Sequence, residues 1–283
     1  MYLVDCIDVF TQSSIRIRGK DKTIYVDPFQ MKEEPHDADF VFITHDHHDH
    51  FSPEDIVKAA GDDTILVLPA KMENKASQEP VRFSRLYTVK PGTYYELDGL
   101  EFETVPAYNS IKPFHPRTAE WVGYIFRIDG KRVYVAGDTD ATREAKEVRC
   151  DIALVPIGGT YTMDASKAAE LINSIRPEVA IPSHFGSIVG DPKDADIFEE
   201  KVSGYEELIK EGEKSNIIGV TNPGFEVFLL LHIEDAYEKY IKDNNDKFFE
   251  LDEKKRYRQP YNVLLEATGM NSSTGKCLSC KTS

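Results

Sequence analysis

Four of the eight histidines fall within six residues, in the segment Thr44-His45-Asp46-His47-His48-Asp49-His50. Imidazole and carboxylate groups are ligands for a borderline cation such as Zn²⁺. A loop can turn His45 and His47 toward one ion, while Asp49 and His50 reach a second ion nearby. The alternative is a solvated polar loop without metal. The position of the cluster favours a metal site, because chance histidine runs rarely lie between a strand and a helix.

The segments on either side of this cluster predict how it is held. Residues 40–43 are continuously apolar and β-prone, which predicts a strand buried on both faces. After the cluster, Ser52-Pro53-Glu54-Asp55 is typical of a helix start: Ser52 can cap the helix, Pro53 suits its first position, and the acids favour its positive end. The histidines are therefore predicted to lie in a loop that follows a buried strand.

The rest of the chain predicts an α/β fold. Residues 14–18 alternate polar and apolar side chains and form a predicted hairpin with a strand over 23–26, which Asp27-Pro28 ends. Further strands are predicted over 65–68, 102–105, 122–128, 132–136, 152–157, 179–181 and 225–231, and helices over 165–175, 195–202 and 235–242. A hairpin-rich first half followed by βαβ-like stretches predicts sheets covered by helices.

The composition limits the class of protein and its partners. The 283 residues are 41% hydrophobic, enough for a sizeable core and too many for a disordered chain. With 49 acidic residues against 34 basic ones, the net charge is −15. We therefore expect no nucleic-acid partner, because such binding needs a basic face.

Several features predict a cytoplasmic protein. No apolar run approaches the roughly 20 residues that span a membrane, and residues 1–5 lack the features of a signal peptide. The four cysteines are too few for the disulfide framework of a small secreted domain. We expect a small-molecule substrate and no membrane partner, and the sequence leaves a homo-oligomer open.

Three ordered motifs together resemble a known family. His45-x-His47-x-Asp49-His50 is similar to the signature of the metallo-β-lactamase-fold hydrolases. Gly137-Asp138-Thr139, which ends the predicted strand over 132–136, resembles the motif of that family's bridging aspartate. Pro182-Ser183-His184-Phe185-Gly186 resembles the motif of its late histidine ligand. The resemblance runs from about residue 13 to 185 and implies a four-layer αββα sandwich.

The resemblance also implies a ligand set for one or two Zn²⁺ ions, with Mn²⁺ as an alternative. One metal would be held by Asp49, His50, Asp138 and His184, and the other by His45, His47 and the shared Asp138. The family normally adds a histidine before the bridging aspartate. Here Tyr108 and Asn109 stand at that place, and His115 is the nearest substitute. Tyr108, Asn109 and His115 are expected to border the substrate pocket.

Within the family, the chain is most similar to the branch of ascorbate-6-phosphate lactonase. The motifs that carry this similarity are Val105-Pro106-Ala107-Tyr108-Asn109, His115-Pro116 and Ile157-Gly158-Gly159-Thr160-Tyr161-Thr162-Met163. A more distant similarity is to the phospholipase D that cleaves N-acyl-phosphatidylethanolamine. From the residues alone, Gly158 and Gly159 either let the backbone approach a substrate or form a tight turn. Trp121 is expected to pack in the core or a hairpin.

The implied chemistry is hydrolysis without a covalent intermediate on the protein. Two cations would hold a hydroxide that attacks a carbonyl carbon or a phosphorus, with Asp49 as the catalytic residue that ligates one metal and orients the nucleophile. We expect a metal-dependent hydrolase of a small cytoplasmic substrate, such as a lactone or a phosphorylated metabolite. The alternatives are a phosphodiesterase acting on lipid or nucleotide, and a non-catalytic metal-binding or ligand-sensing protein.

The chain is expected to divide into two parts. Residues 1–231 would form the hydrolase domain, and residues 232–283 a charged C-terminal extension. In the extension, residues 232–242 carry one apolar helix face, which predicts a docked helix. The remainder, including Cys277 and Cys280, is expected to be a flexible tail.

Overall fold

The structure is a computed structural model that describes residues 3–79 and 83–202. Its first sheet has six strands in chain order, namely β1 (Ile7–Val9), β2 (Ile15–Arg18), β3 (Thr23–Val26), β4 (Ala38–Phe42), β5 (Ala60–Pro69) and β6 (Arg85–Val89). Strands β1 to β3 pair antiparallel, as the predicted hairpin requires. Strands β3 to β6 pair parallel, so their carboxyl ends lie along one edge.

The second sheet also has six strands. They are β7 (Tyr94–Leu97), β8 (Leu100–Pro106), β9 (Val122–Ile128), β10 (Lys131–Val135), β11 (Ile152–Pro156) and β12 (Val179–Ser183). Strands β7 to β10 pair antiparallel, and β10 to β12 pair parallel. Strands β8, β10, β11 and β12 therefore share one direction in the sheet.

The two sheets pack face to face through aromatic and aliphatic side chains. The ring of Phe42 on β4 lies 5.0, 4.9 and 4.7 Å, between centroids, from the rings of Phe102, Tyr124 and Phe126 on the second sheet. All four side chains are almost fully buried. Alternate positions of each strand thus supply the inner core, as the period of a strand dictates.

Helices cover the outer faces of both sheets. They are α1 (Pro53–Ala59), α2 (Glu73–Ala76), α3 (Arg143–Lys146), α4 (Ala165–Ile175) and α5 (Asp194–Lys201). Side chains of α1 and α2 form one buried cluster with the outer face of the first sheet, and side chains of α3, α4 and α5 form another with the second. The result is the four-layer αββα sandwich of the predicted α/β class.

Most predicted elements are confirmed, and the differences have local reasons. Strands β3 and β9 and helix α4 have the predicted bounds. Strands β1, β6 and β7 were not predicted: β1 has three residues, and β6 and β7 carry mostly half-exposed side chains without a clear apolar stripe. Such edge strands are defined by their pairing partner rather than by their own pattern.

The helix start after the histidine cluster is confirmed, but the predicted cap is wrong. Ser52 occupies the cap position of α1, and its side chain does not bond the backbone of the helix. Its hydroxyl donates instead to Asp55 (2.8 Å), and the Asp55 carboxylate also accepts the backbone N–H groups of Gln30 and Met31. Asp55 thereby ties the segment after β3 to α1. Because the Ser52 hydroxyl bonds Asp55, it does not cap the helix.

Several expectations lie outside the described residues. These are the strand over 225–231, the helices and tail of the extension with Cys277 and Cys280, and the boundary at residue 231. Across residues 3–79 and 83–202, none of the helices combines the length and apolar character needed to cross a membrane.

The edge at which strands β3, β4, β8, β10 and β12 end is where the sheets are tied together. Tyr124 donates its hydroxyl to the carbonyl of Ile43 (2.7 Å), and the N–H of Val122 donates to the carbonyl of Thr44 (3.2 Å). Gly137 follows β10 with a φ of +63°, and a Cβ there would lie 3.0 Å from Cβ of Thr44. Glycine therefore lets the ends of β4 and β10 approach closely.

Candidate metal centre

The histidine loop begins directly after β4 and is closed by a turn. The backbone N–H groups of His50 and Phe51 donate to the carbonyl of His47 (3.1 and 2.8 Å). Phe51 is buried and anchors the loop in the outer core before α1 begins. The turn brings His45, His47 and His50 to one side, while His48 points outward with 79% of its side chain exposed. His48 is therefore separated from the other three.

Asp138 is the central carboxylate of the cluster. One of its oxygens, Oδ2, lies 3.3 Å from Nε2 of His115 and 3.3 Å from Nε2 of His184. The same oxygen lies 3.9 Å from Nε2 of His45, and Oδ1 lies 3.4 Å from Nε2 of His50. Asp138 comes directly after Gly137, the glycine at which the ends of β4 and β10 approach each other, and it is almost fully buried. Its two oxygens therefore lie within 3.3–3.9 Å of four histidine nitrogens.

Groups of side chains among the described residues could hold a metal ion, and the first of these candidate ligand groups consists of His45, His47 and His115. One ring nitrogen from each lies within 4.8 Å of the others, and Nε2 of His45 is 3.1 Å from Nδ1 of His47. Four ligand atoms placed tetrahedrally about 2.1 Å from a Zn²⁺ ion are about 3.4 Å apart. With Asp138, the group offers three imidazoles and one carboxylate at compatible spacing.

The second ligand group consists of Asp49, His50 and His184, whose ligand atoms also lie within 4.8 Å of one another. Oδ2 of Asp49 is 3.3 Å from Nε2 of His184 and 3.7 Å from Nε2 of His50. Asp138 completes this group as well. The structure thus brings together the six residues predicted as ligands, and adds His115 to them.

Buried atoms without partners show that the cluster fits a cation. Nε2 of His50, Nε2 of His115 and Oδ1 of Asp138 are buried and have no hydrogen-bond partner in the part of the chain that the structure describes. Each such group costs about 1–3 kcal/mol when it stays unsatisfied. All three face the space between the two ligand groups, where lone pairs from imidazole and carboxylate suit a divalent cation.

Asp27 orients two of the histidines, and sequence analysis missed this role. Oδ2 of Asp27 lies 2.6 Å from Nδ1 of His50 and accepts the hydroxyl of Thr44 (2.6 Å). Because that hydroxyl donates to Asp27, it accepts Nδ1–H of His45 at 2.9 Å. Both rings therefore keep a hydrogen on Nδ1, and Nε2 is the nitrogen that each ring turns toward the centre. The only signal in the sequence was an aspartate at the end of β3.

His115 supplies a third imidazole beside His45 and His47, and Asn109 supports it. Oδ1 of Asn109 accepts the backbone N–H of His115 (3.1 Å) and lies 2.9 Å from its Nδ1. The amide nitrogen of Asn109 donates to Asp140 and to the carbonyl of Tyr161. Asn109 is thus buried with both ends of its amide bonded to the protein, and Nε2 of His115 faces the ligand group.

Tyr108 belongs to neither of the two ligand groups. Its hydroxyl donates to Glu144 (2.8 Å), and the guanidinium of Arg117 lies over its ring, 4.9 Å from the centroid. Burial and the bond to Glu144 raise the pKa of Tyr108, so the phenol stays protonated at neutral pH. The side chain is half-buried, and its expected place at the border of the substrate pocket stays a prediction.

Trp121 contacts the first ligand group, which corrects the expectation that it only packs a core or hairpin. Its ring lies 5.0 Å from His45, 5.0 Å from His47 and 5.5 Å from His115, measured between centroids. The half-buried indole therefore forms a wall of the site. No local pattern distinguishes such a tryptophan from an ordinary core residue.

The segment after β11 packs against His184 and carries Tyr161. A Cβ on Gly158 would lie 2.3 Å from the carbonyl oxygen of His184, so glycine is required for this contact. Gly159, with a φ of +78°, forms the tight turn that was one of the two expectations. Beyond it, the ring of Tyr161 packs edge-on against Phe114 at 4.8 Å between centroids, and both rings are partly exposed beside the site.

The charges in the cluster set complementary protonation states. Burial lowers the pKa of His45, and the neighbouring His50 lowers it further, so this imidazole is neutral. Burial raises the pKa of the Asp138 carboxyl, but His184 and His50 outweigh it and hold the pKa well below its usual range. The pKa of Asp49 is likewise low, because its bond to His184 outweighs burial. Ionised carboxylates and a neutral imidazole are the forms that bind metals.

Comparison with known proteins places this site in a family. A sequence model of the beta-lactamase superfamily domain matches residues 6–184, which contain every residue of both ligand groups. The UPF0173 metal-dependent hydrolase of Pyrococcus abyssi is 28% identical over 228 residues, which are 74% of this chain and 92% of that protein. A UPF0173 metal-dependent hydrolase of Lysinibacillus sphaericus is 27% identical over 222 residues, 72% and 96% of the two chains.

Two solved structures of metal-dependent hydrolases are also similar to this chain. A structure described as a metal-dependent hydrolase, from Parabacteroides distasonis, is similar with a TM-score of 0.58 and 28% identity, covering 69% of this chain and 89% of its own. Igni18, a metallo hydrolase from Ignicoccus hospitalis, has a TM-score of 0.56 and 27% identity, covering 71% and 91%. The chain therefore belongs to the beta-lactamase superfamily and is a metal-dependent hydrolase with the metallo-β-lactamase fold.

Proposed function

We propose that this protein is a Zn²⁺-dependent hydrolase of a small cytoplasmic molecule, such as a lactone or a phosphorylated metabolite. The observation that carries the proposal is the position of Asp138 between two ligand groups, within 3.3–3.9 Å of four histidine nitrogens. A carboxylate in that position can bridge two cations. The similarity of several motifs to the ascorbate-6-phosphate lactonase branch supports the choice of substrate class.

Divalent cations at this centre would supply acidification of a water molecule and polarisation of the substrate's electrophilic atom. The protein's own residues do the remaining work. Asp27 and Asn109 hold His50 and His115 with their Nε2 atoms inward. His45, Asp49 and Asp138 already have the protonation states that bind a metal, whereas His50 must first lose a proton. Burial lowers the pKa of His50, but Asp138 and Asp27 outweigh it and raise the pKa well above the usual value.

Asp49 is the residue we propose for orienting the attacking water. Its Oδ2 faces His184, whereas its Oδ1 lies on the outer side, 3.8 Å from the exposed His48. The Asp49 side chain is 11% exposed and that of Asp138 is 3% exposed. An ionised carboxylate that is both a candidate ligand and partly exposed can accept a hydrogen bond from a water molecule and take its proton at Oδ1.

Zn²⁺ is the cation we propose first. Three imidazoles with one carboxylate, and two imidazoles with two carboxylates, are donor sets that Zn²⁺ binds readily. The same donors also accept Mn²⁺, and availability often decides between the two metals. Either ion would serve the proposed hydrolysis.

The rim supports a small-molecule substrate. The ring of Trp121 lies against the first ligand group, and the partly exposed rings of Phe114, which precedes His115, and Tyr161, whose carbonyl Asn109 bonds, offer apolar contact to a compact ligand. We assign Asn109 to holding His115 rather than to substrate, because both ends of its amide bond the protein. The net charge of −15 argues against nucleic acid as a partner.

Two alternatives remain as outcomes of the same test. A phosphodiesterase would use the same centre on a lipid or nucleotide. The non-catalytic alternative arose from the missing histidine, and the position of His115 beside His45 and His47 favours the enzyme over it.

The test is elemental analysis of protein purified without added metal, followed by a screen of lactones, phosphomonoesters, phosphodiesters and thioesters. The proposal predicts one or two equivalents of Zn²⁺ or Mn²⁺ and turnover of a lactone or phosphorylated substrate that Asp49→Asn abolishes. Turnover only of phosphodiesters would establish the first alternative. Full metal content without turnover of any class would favour the non-catalytic one.

A further inference from the structure

Gln12 carries a buried side-chain amide that finds no hydrogen-bond partner within residues 3–79 and 83–202. The residue is 3% exposed, and both its Oε1 and its Nε2 are buried without a hydrogen-bond partner. Buried side-chain amides are nearly always bonded, and each unsatisfied end costs about 1–3 kcal/mol. Gln12 lies in the turn between β1 and β2, and its backbone has a left-handed φ of +57°. We therefore expect the side-chain amide of Gln12 to form a hydrogen bond in the functional state of the protein.

His184 has the complementary deficit. Its Nε2 faces Asp49 and Asp138, but its Nδ1 is buried without a partner among the described residues. The other three buried histidines of the cluster each have an oxygen near Nδ1: Thr44 for His45, Asp27 for His50 and Asn109 for His115. These distances are 2.9, 2.6 and 2.9 Å. Metal-binding histidines almost always donate their second N–H to such an acceptor.

The two residues that carry these unpartnered atoms are in contact through their backbones. The backbone N–H of His184 donates to the backbone carbonyl of Gln12 (2.9 Å), so the two residues are neighbours across the strand ends. His184 has a left-handed φ of +55°, and its carbonyl oxygen rests against Gly158. The backbone of His184 is therefore fixed on two sides, and the residue that its N–H bonds carries an uncommitted amide acceptor.

We propose that Gln12 is a positioning residue for the metal centre, whose Oε1 accepts Nδ1–H of His184 when a cation is bound. This inference rests on the proposed metal-dependent function. The bond fixes the hydrogen of His184 on Nδ1 and leaves Nε2 free for the cation, as Asp27 and Asn109 do for their histidines. It also satisfies two of the three unpartnered atoms, Oε1 of Gln12 and Nδ1 of His184, in one contact.

The first test is competitive titration of the full chain with Zn²⁺ against a chromophoric chelator. Gln12→Met removes the acceptor at nearly constant shape and is expected to weaken the binding of one Zn²⁺ by about 10–100-fold. Gln12→Glu keeps an acceptor and is expected to restore binding. Gln30→Met is the matched control, because Gln30 also has a left-handed φ, of +49°, and its side chain is exposed.

Wild-type affinity in Gln12→Met, or equal weakening by Gln12→Met and Gln12→Glu, would overturn the inference while leaving the proposed function intact. Failure of the wild-type protein itself to bind Zn²⁺ would overturn both. The second test needs no variant. In Zn²⁺-loaded wild-type protein, NMR of the histidine rings is expected to show a slowly exchanging Nδ1–H of His184 with a nuclear Overhauser contact to the Gln12 side-chain amide. Absence of that contact would contradict the bond.

Discussion

The carboxylate of Asp27 lies 2.6 Å from Nδ1 of His50, although 23 residues separate the two in sequence. The same carboxylate accepts the backbone N–H and the hydroxyl of Thr44, and through that hydroxyl it orients His45. One buried residue at the end of β3 therefore sets the direction of a ligand in each group.

The first prediction concerns Asp27. Asp27→Asn keeps the shape but replaces an acceptor for Nδ1–H with a group that can present N–H, so His50 loses its orientation. Zn²⁺ affinity is expected to fall by about 10–100-fold, measured by chelator competition. Asp21→Asn, at an exposed position in the same hairpin, is the control and should bind as the wild type does. Unchanged affinity in Asp27→Asn would show that the carboxylate does not orient the ligand.

The second prediction concerns His115. His115→Ala removes one of three imidazoles from the first ligand group, whereas the group of Asp49, His50 and His184 keeps all its members. The variant is expected to lose one equivalent of metal and retain the other, measured by elemental analysis after dialysis. His48→Ala is the control, because His48 is largely exposed. Two retained equivalents in His115→Ala would show that His115 is not a ligand.

The third prediction uses Trp121, the single tryptophan of the chain. Because its ring lies about 5 Å from His45 and His47, its fluorescence should report the first ligand group. Co²⁺, which accepts excitation energy at short range, is expected to quench this fluorescence strongly as it binds. The response should be lost in His115→Ala. Full Co²⁺ binding with unchanged fluorescence would place the metal away from Trp121.

The fourth prediction concerns the pH dependence of stability through Asp55. Burial raises the pKa of Asp55, but the bonds from Lys58, Ser52 and the backbone of Gln30 and Met31 outweigh it and lower the pKa. A lowered pKa in the folded state gives stability that is present above the unfolded value, about 3.9, and is lost as the pH falls through the folded value.

Asp55→Asn is therefore expected to lower the free energy of unfolding by about 1.5–3 kcal/mol at pH 7. The difference from the wild type should shrink below pH 4 in urea denaturation of metal-free protein. Glu54→Gln, in the same turn of α1, should change stability by less than about 0.5 kcal/mol. A difference that stays constant or grows at low pH would contradict this account of Asp55.

The sequence predicted the strands and the ligands for different reasons. Continuous apolar runs such as residues 122–128 determine their own structure, and β9 has the predicted bounds. The ligands were predicted from motifs in which spacing and strand position reinforce each other. Asp27 and Asn109 could not be assigned in this way, because their roles arise from contacts across 23 residues and within an irregular loop. The same holds for Trp121, whose neighbours are set by the meeting of two sheets.

The most direct test of the account is a crystal structure of the Zn²⁺-loaded protein with anomalous diffraction measured at the zinc edge. The account predicts an anomalous peak within about 2.0–2.2 Å of Nε2 of His50, Nε2 of His184 and an oxygen of Asp138. A second peak is predicted at His45, His47 and His115 on the other side of Asp138. Zinc bound elsewhere, or a His184 ring turned away from the metal, would contradict the central claim that Asp138 joins two metal sites.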